Sequence, residues 1–553
     1  MMSQDLPNRL DMENRTDIKE KIASMEAAAV WSDAGDGMFK VPAGAFRALA
    51  ERLRKEEGFD FLRSLTGMDW GEEGLGCVYH LENTSTGENI VLATADPDRD
   101  NAALPSVHDL WKGALINERE AYDFFGIKFI GHPDLRRFFL RDDWKGYPLR
   151  KDYDMSLNPL NMENEGNEDE APGYEMTPDG GYILKRHPLF EEEEYVINIG
   201  PQHPATHGVL RFRVSLEGET IKKIDVHSGY IHRGIEKLCE SMTYPQTLGF
   251  TDRLDYLGAM QNRHALCACI EKAMGLEVSE RIQYIRTIMD ELQRIDSHLL
   301  FIACLCQDMG ALEVFFLGFR DREKVLDILE QTTGGRLIQT YNTIGGVQAD
   351  IHPDFVRKTK EFIKYMRPKL REYHDIFTGN VIARNRLIGT GVLSREDAIS
   401  FGATGGTGRA SGWACDVRKR HPYAMYGKVD FQEITFTEGD CFARYMVRVK
   451  EIEQSLNIIE QLVDNIPEGE WQMKVKPVIK LPEGAWYTAV EGSRGEFGVY
   501  LESRGDKSPY RLKFRSTGLP LVSCIDTISR NAKIADLIAI GGTLDYVVPD
   551  IDR

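Results

Sequence analysis

The chain has 553 residues, with 68 Lys and Arg against 87 Asp and Glu, a net charge of −19. At roughly 150 residues per domain this length suggests three or four domain-sized units, and ordinary hydrophobic and charged fractions of 42% and 28% exclude a wholly disordered chain. The acidic balance argues against a nucleic-acid binder and against direct docking on anionic lipid, since both reward a basic face.

A spanning helix needs about 18–20 consecutive apolar residues, and the longest candidate here, His298 to Cys306, is about half that length. The N-terminal sequence MMSQDLPNRLDMENRTDIKEK is polar and acidic, unlike a secretory signal or an organelle transit peptide. The nine cysteines, an odd set with no export signal, read as reduced cytosolic thiols. The expectation is a soluble, acidic, cytoplasmic, multi-domain protein.

Phe46, Leu49, Ala50 and Leu53 recur at helical spacing and predict an amphipathic helix ending near Gly58. Val78 to Leu81 and Ile90 to Leu92 predict strands joined through Asn83-Thr84-Ser85-Thr86-Gly87. A second helix is expected from about Asp109 to Phe124, stopping at Gly126. From Asp154 to Glu194, prolines, glycines and the acidic runs Glu163 to Glu170 and Glu191 to Glu194 predict an extended linker.

The second half reads as helical in its middle. Ile282, Ile285, Met289, Leu292, Ile295, Leu299 and Ile302 recur every three or four residues, so a helix near 25–30 residues long is expected, with Ser279 as N-cap. Its last turns are apolar all round and should be buried. Further helices are predicted over Phe319 to Gln331, Pro353 to Phe377 and Phe442 to Val463. The tail predicts strands over Ala485 to Val490, Phe497 to Leu501 and Tyr510 to Phe514, with Arg504-Gly505-Asp506 as turn chemistry.

The glycine-rich stretch Gly402 to Gly412 fits neither a Walker loop, since Arg409 follows Gly408, nor the spacing of a dinucleotide fingerprint, and reads as a structural loop. In Cys267-Ala268-Cys269 and Cys304-Leu305-Cys306 a two-residue helical step turns the second thiol by about 200°, so neither pair can share a metal. No C-x-x-C occurs anywhere in the chain. By spacing alone His203 and His207 default to structural or solvent-facing roles, although a Pro/Gly turn can project an imidazole into a cavity. Asp252-Arg253-Leu254-Asp255-Tyr256 reads as the opening of a helix, and Tyr256 alone as a packed ring. Asp308, at the apolar end of the long helix, needs a nearby His or Arg to offset its burial.

Longer stretches carry a resemblance. Tyr122 to Phe129, His132 to Arg137 and Trp144 to Asp152 resemble the C chain of proton-pumping NADH:quinone oxidoreductase, respiratory complex I. Gly200 to Val209, Ile231 to Lys237, Asp252 to Tyr256, Glu496 to Leu501 and Val548 to Arg553 resemble its D chain. The chain is thus similar to a fused C/D chain of the kind found in some bacteria. This implies an α+β protein with an N-terminal extension (residues 1–38), a small C-chain-like α/β domain (39–153), an acidic linker (154–194) and a D-chain domain (195–553). The last would resemble the large subunit of [NiFe] hydrogenases, with a long-helix core and peripheral strands.

The resemblance further implies quinone as substrate. Electrons arrive from the terminal [4Fe–4S] cluster, held by cysteines of the neighbouring B chain; this chain is expected to bind no metal or flavin. His207 and Tyr256 match the residues that hydrogen-bond the quinone oxygens, Asp308 matches the carboxylate beside that histidine, and Arg233 matches an arginine lying by the cluster. Two-electron reduction charges both carbonyl oxygens, so a donor able to release a proton at each suits the chemistry. Ile338 stands where many relatives carry a histidine near the cluster, which implies a lower, less pH-dependent cluster potential and a low-potential quinone such as menaquinone. The partners implied are the B and I chains, other peripheral-arm subunits and the membrane-arm H and A chains, at the cytoplasmic face of the bacterial inner membrane, with no nucleic acid. A membrane-bound [NiFe] hydrogenase subunit is the rival, but it needs two C-x-x-C pairs, and Arg253 to Tyr256 and Asp545 to Asp550 stand in their places. A non-catalytic scaffold is the other alternative, which His207, Tyr256 and Asp308 together disfavour.

Overall fold

The computed structural model describes residues 19–158, 169–178, 181–191, 194–203, 206 and 208–553. They divide into two compact units, residues 1–137 with 141–189 and residues 138–140 with 190–553.

The first unit is built on a mixed sheet in the order β1-β2-β5-β4-β3, from β1 (Val30–Ser32), β2 (Met38–Lys40), β3 (Phe61–Asp69), β4 (Leu75–Glu82) and β5 (Asn89–Asp96). Only the β2–β5 pairing is parallel. Every residue of β3 and β4 is buried. Helix α1 (Ala43–Lys55) turns the expected face of Phe46, Leu49, Ala50 and Leu53 inward. Helix α2 (Ala114–Phe125) packs on β3 and starts five residues later than the sequence suggests, because Val107 to Gly113 form hydrogen-bonded turns instead.

A second sheet in the same unit runs β6 (Ala103–Pro105), β7 (Lys128–Ile130), β8 (Glu170–Met176), β9 (Tyr182–Pro188). The last two strands occupy much of the expected linker, which is therefore not simply extended chain. Strand β9 is almost wholly exposed, β8 buries only Ala171 and Gly173, and neither sequence shows an apolar alternation. Order comes instead from the ladder between them and from Gly131 N–H donating to Tyr174 O at 2.8 Å and Leu135 N–H to Pro172 O at 2.7 Å. The acidic run from residue 163 lies mainly outside the described residues.

The second unit opens with an antiparallel sheet, β10 (Tyr195–Ile199), β11 (Arg211–Glu217) and β12 (Thr220–His227). Helices α3 (Ile235–Glu240), α4 (Tyr244–Thr251) and α5 (Ala259–Met274) follow. Helix α6 (Glu280–Asp308) has 29 residues and is N-capped by Ser279, whose hydroxyl accepts from Ile282 N–H. It packs along α7 (Leu312–Thr333), where a Cβ on Gly318 would sit 2.8 Å from the Ala303 side chain; only glycine permits that approach. Helix α8 (Phe355–Tyr373) continues into a π-helical turn, and the Gly-rich stretch forms a buried helix α9 (Gly405–Ala410). Helix α10 (Cys441–Val463) lies against α6. Strands β13 (Gly484–Gly492), β14 (Gly495–Ser503) and β15 (Arg511–Arg515) form an antiparallel sheet against α5, followed by α11 (Ile534–Leu544) and α12 (Val548–Ile551).

The apolar core between α5 and β13–β15 includes Leu266, Ile270, Phe497, Val499 and Phe514. Between α6 and α10 the interior is polar. Glu291, Arg294 and His298 of α6, spaced three and four residues apart on one face, meet Arg448, Glu451 and Ser455 of α10, all buried.

Candidate functional site

The segment Asp252 to Tyr256 does not open a helix; it is the turn between α4 and α5. Thr243 and Gln246 form a capping box at the start of α4. Asp252 pairs with Arg263 at 2.8 Å; burial pushes its carboxyl up to about 6 against that arginine. Leu254 enters the core and Asp255 is fixed by Leu257 N–H at 2.9 Å. Tyr256, half-buried, projects into a cavity of about 210 Å³.

The apolar wall of that cavity comes from Leu257 and from Leu300, Phe301, Cys304 and Leu305 on the last turns of α6. Its polar wall is Arg494, Asp545 and Tyr546. Arg494 sits in the two-residue loop between β13 and β14, whose flanking glycines Gly492 and Gly495 pair directly. Its guanidinium donates to Asp255 Oδ2 at 2.9 Å, Ser297 Oγ at 3.1 Å and Asp545 Oδ1 at 3.2 Å. Asp545 caps α11 in the left-handed region, φ 60° and ψ 41°, a conformation that Asp tolerates at helix ends. Arg448 Nε lies 3.3 Å from its other oxygen.

Burial keeps the Tyr256 phenol protonated above its usual range, with Arg494 pulling the other way. Burial also raises Asp255. Although burial opposes it, Asp255 and Asp545 hold the Arg494 guanidinium charged. The Cys304 thiol is pushed up to about 11 by burial and then by Asp308, so it is no nucleophile at neutral pH. Burial and then Asp308 also raise Tyr546. Asp308, the last residue of α6, is half-buried, and its field reaches two cavity residues.

The other sequence-singled residues stand as follows. His207 lies outside the described residues. Its neighbour Gly208 packs on Val548, where a Cβ would come within 2.6 Å of Cγ2, and Val548 directly follows the cavity residue Val547. His203 is exposed. Arg233 is exposed just ahead of α3. Ile338 is half-buried beyond Arg336, which spreads over Glu323, Asp327 and Glu330. Cys267 and Cys269 are buried on α5, and among the described residues no group of three His, Cys, Asp or Glu side chains could hold a metal ion.

Several matched motifs serve as ties. Glu236 pairs with Arg511 at 2.7 Å and Arg553 at 3.3 Å; burial opposes its charge, but Lys513, Arg511 and Arg553 hold it at about 2. Asp550 accepts from Ser516, Thr517 and Gly518, and Asp552 from the backbone of Gly229 and Ile231.

Residues 39–158 match the family model of the respiratory-chain NADH dehydrogenase 30 Kd subunit, and residues 308–480 and 473–553 that of the 49 Kd subunit. The chain is 75% identical over 514 residues to the C/D subunit of NADH-quinone oxidoreductase from Phocaeicola vulgatus, covering 93% of this chain and 99% of that one. It is 36% identical to the C/D 2 subunit of the same enzyme from Aquifex aeolicus, with 93% and 95% covered. The chain belongs to the fused C/D chains of complex I. The unfused D chain of NADH-quinone oxidoreductase from Desulfotalea psychrophila is 46% identical over 366 residues, 66% of this chain but 98% of its own length.

In this C/D chain the 30 Kd match falls in the first unit, apart from residues 138–140, and the 49 Kd match in the second. It is part of an oxidoreductase complex. The stretches Arg253 to Tyr256 and Asp545 to Asp550 of the C/D chain both supply walls of one cavity. Arg494 escaped the sequence reading. The signal for it was a charged residue between two glycines, Gly492-Ser493-Arg494-Gly495, at the joint of two apolar strands.

Proposed function

We propose that the second unit of this C/D chain contributes the quinone-reduction site of the complex. The observation that carries the reading is Tyr256 beside the Arg494–Asp255–Asp545 system in a cavity of about 210 Å³. Sites for drug-sized ligands span roughly 300–1,000 Å³, so this volume suits a single ring rather than a headgroup with its tail. The wall of Leu257, Leu300, Phe301 and Leu305 favours such a ring over a charged metabolite.

Electrons come from the terminal [4Fe–4S] cluster of the B chain, and Arg233, being exposed, is free to face it. As the ring takes two electrons, Tyr256 gives a proton to one carbonyl oxygen and His207 to the other, with Asp308 supporting the imidazole. The half-buried phenol is protonated before the reaction, as a donor must be. The unit keeps the scaffold of a hydrogenase large subunit without the thiolate pairs. Ile338 in place of a titratable group supports a low-potential quinone such as menaquinone: the cluster midpoint should change little with pH, and a steep pH dependence in a potential titration would remove that argument.

The chain works at the cytoplasmic face of the membrane, held by the B and I chains, other peripheral-arm subunits and the membrane-arm H and A chains. Among the described residues no helix is long and apolar enough to cross a membrane. Coupling to proton translocation belongs to the membrane partners. In the assembled enzyme, Tyr256→Phe and His207→Ala should each lower quinone reduction about a hundredfold or more, while NADH oxidation by ferricyanide persists. Quinone reduction surviving both changes would favour a scaffold role instead.

A further inference from the structure

Arg494 is held more tightly than an ordinary wall residue. Its backbone is clamped, since a Cβ on Gly405, at φ +68°, would meet the Arg494 carbonyl oxygen at 2.3 Å. Its head is fixed from separate parts of the fold: Asp255 in the α4–α5 turn, Ser297 on α6 and Asp545 at the end of α11. These bonds use Nη1 and Nη2. Three bonds leave guanidinium N–H groups over, Nε–H among them with no acceptor among the described residues, although Arg494 is 1% exposed. A buried N–H left unmade is costly, and such exceptions in a native fold call for a partner.

The charges around it are balanced. Asp255, Arg494, Asp545 and Arg448 alternate along one chain of contacts, so the wall has no net charge in the resting state. It therefore does not demand an anion, yet it offers a preorganised donor where negative charge develops. A donor of this kind strengthens as charge appears, which lowers the barrier rather than merely binding the neutral ring.

We propose that Arg494 is a further hydrogen-bond donor of this cavity, its guanidinium, which lines the cavity beside Tyr256, engaging the ring oxygen that gains charge when a quinone is reduced there. The inference rests on the quinone reading above. In the reaction, two electrons enter the ring from the NADH-driven chain, the Tyr256 proton moves to the charged oxygen beside it and a phenolate remains, while the other oxygen takes its proton from the second donor of the quinone reading. Arg494, lining the same cavity, stabilises that oxygen before the proton moves and the phenolate afterwards. Tyr256 is then reprotonated by water.

The test uses the assembled complex with decylubiquinone as acceptor and ferricyanide reduction as the measure of assembly. Arg494→Lys keeps the charge but loses the planar donor. It should lower kcat about a hundredfold with KM within about twofold and ferricyanide activity unchanged. The double variant Arg494→Met/Asp545→Asn keeps the wall neutral and should show the same loss relative to Asp545→Asn alone. A kcat within about threefold of its reference in either assembled variant overturns the proposal. If Tyr256→Phe also leaves quinone reduction intact, the quinone reading itself has failed. If Tyr256→Phe is inactive and the Arg494 variants are not, only the role of Arg494 falls.

Discussion

Glu118 in the first unit and Glu451 in the second are both buried, yet their surroundings differ in kind. Glu118 meets Ser106 Oγ at 2.5 Å and Val107 N–H at 2.8 Å. Burial pushes its carboxyl up to about 8 despite those bonds, so at neutral pH it is mostly a neutral acid. A protonated Glu118 can donate to Ser106, whose own hydrogen then reaches His108 Nδ1 at 3.0 Å. Glu451 instead accepts from Arg409 at 2.9 Å and Arg418 at 2.6 Å and pairs with His298 at 2.9 Å. Burial opposes its charge, but Arg409, His298 and Arg418 hold it well below the usual carboxylate range. Glu118 is hidden by keeping its proton, Glu451 by being surrounded with cations. The first device is sensitive to pH; the second depends on every member being present.

The second device extends beyond one residue. Glu291, Asp416 and Glu491 share Arg294, Arg409 and Arg418 with Glu451, and Tyr426 and Ser455 add hydroxyl donors to Glu291. Replacing such a set by apolar side chains could be neutral, but removing one member leaves charge uncompensated in a dry interior. Glu451→Ala takes one carboxylate from Arg409 and Arg418, which keep Glu491 and Asp416, and leaves His298 without its carboxylate; with that charge uncompensated it should cost about 3–5 kcal/mol, a large share of the 5–15 kcal/mol that typically stabilises a domain. Urea unfolding of the full chain measures this. A loss near 1 kcal/mol, the worth of an ordinary hydrogen bond, would mean that water or rearrangement repairs the gap and that the network is loose.

The same contrast explains what could be read beforehand. The long helix was legible because Ile282, Ile285, Met289, Leu292 and Ile295 repeat at helical spacing, and Ser279 does cap it. The burial of its charged face was not. Periodicity counts apolar residues, and Glu291, Arg294 and His298 look solvent-facing until Arg448 and Glu451 of α10 are brought opposite. The cavity shows the same limit. Tyr256 stood out through the resemblance, whereas Arg494 reaches Asp255 across 239 residues of sequence, a separation that no local pattern encodes. Strands β8 and β9 were missed for the opposite reason: their ladder is ordinary, but their proline-containing sequences carry no apolar alternation.

Glu118 offers the smaller and sharper test. Its folded-state value of about 8 lies above the ordinary value near 4.3, so the folded chain keeps a proton that the unfolded chain has already released. The unfolded state therefore binds fewer protons throughout that window, and stability falls as pH rises through it. The contribution is fully present below the ordinary carboxylate value and is lost progressively up to about pH 8. Glu118→Gln retains the shape but cannot ionise, so the slope should flatten. Between about pH 6 and 8 the difference should reach at most 2–3 kcal/mol, the limit of one proton over two pH units. Melting curves of the full chain and the variant across that range decide it. Parallel curves would mean that Glu118 is ionised in the fold, with Arg47, which pulls its carboxyl downward, neutralising it, and Glu118 and Glu451 would then be hidden in the same way.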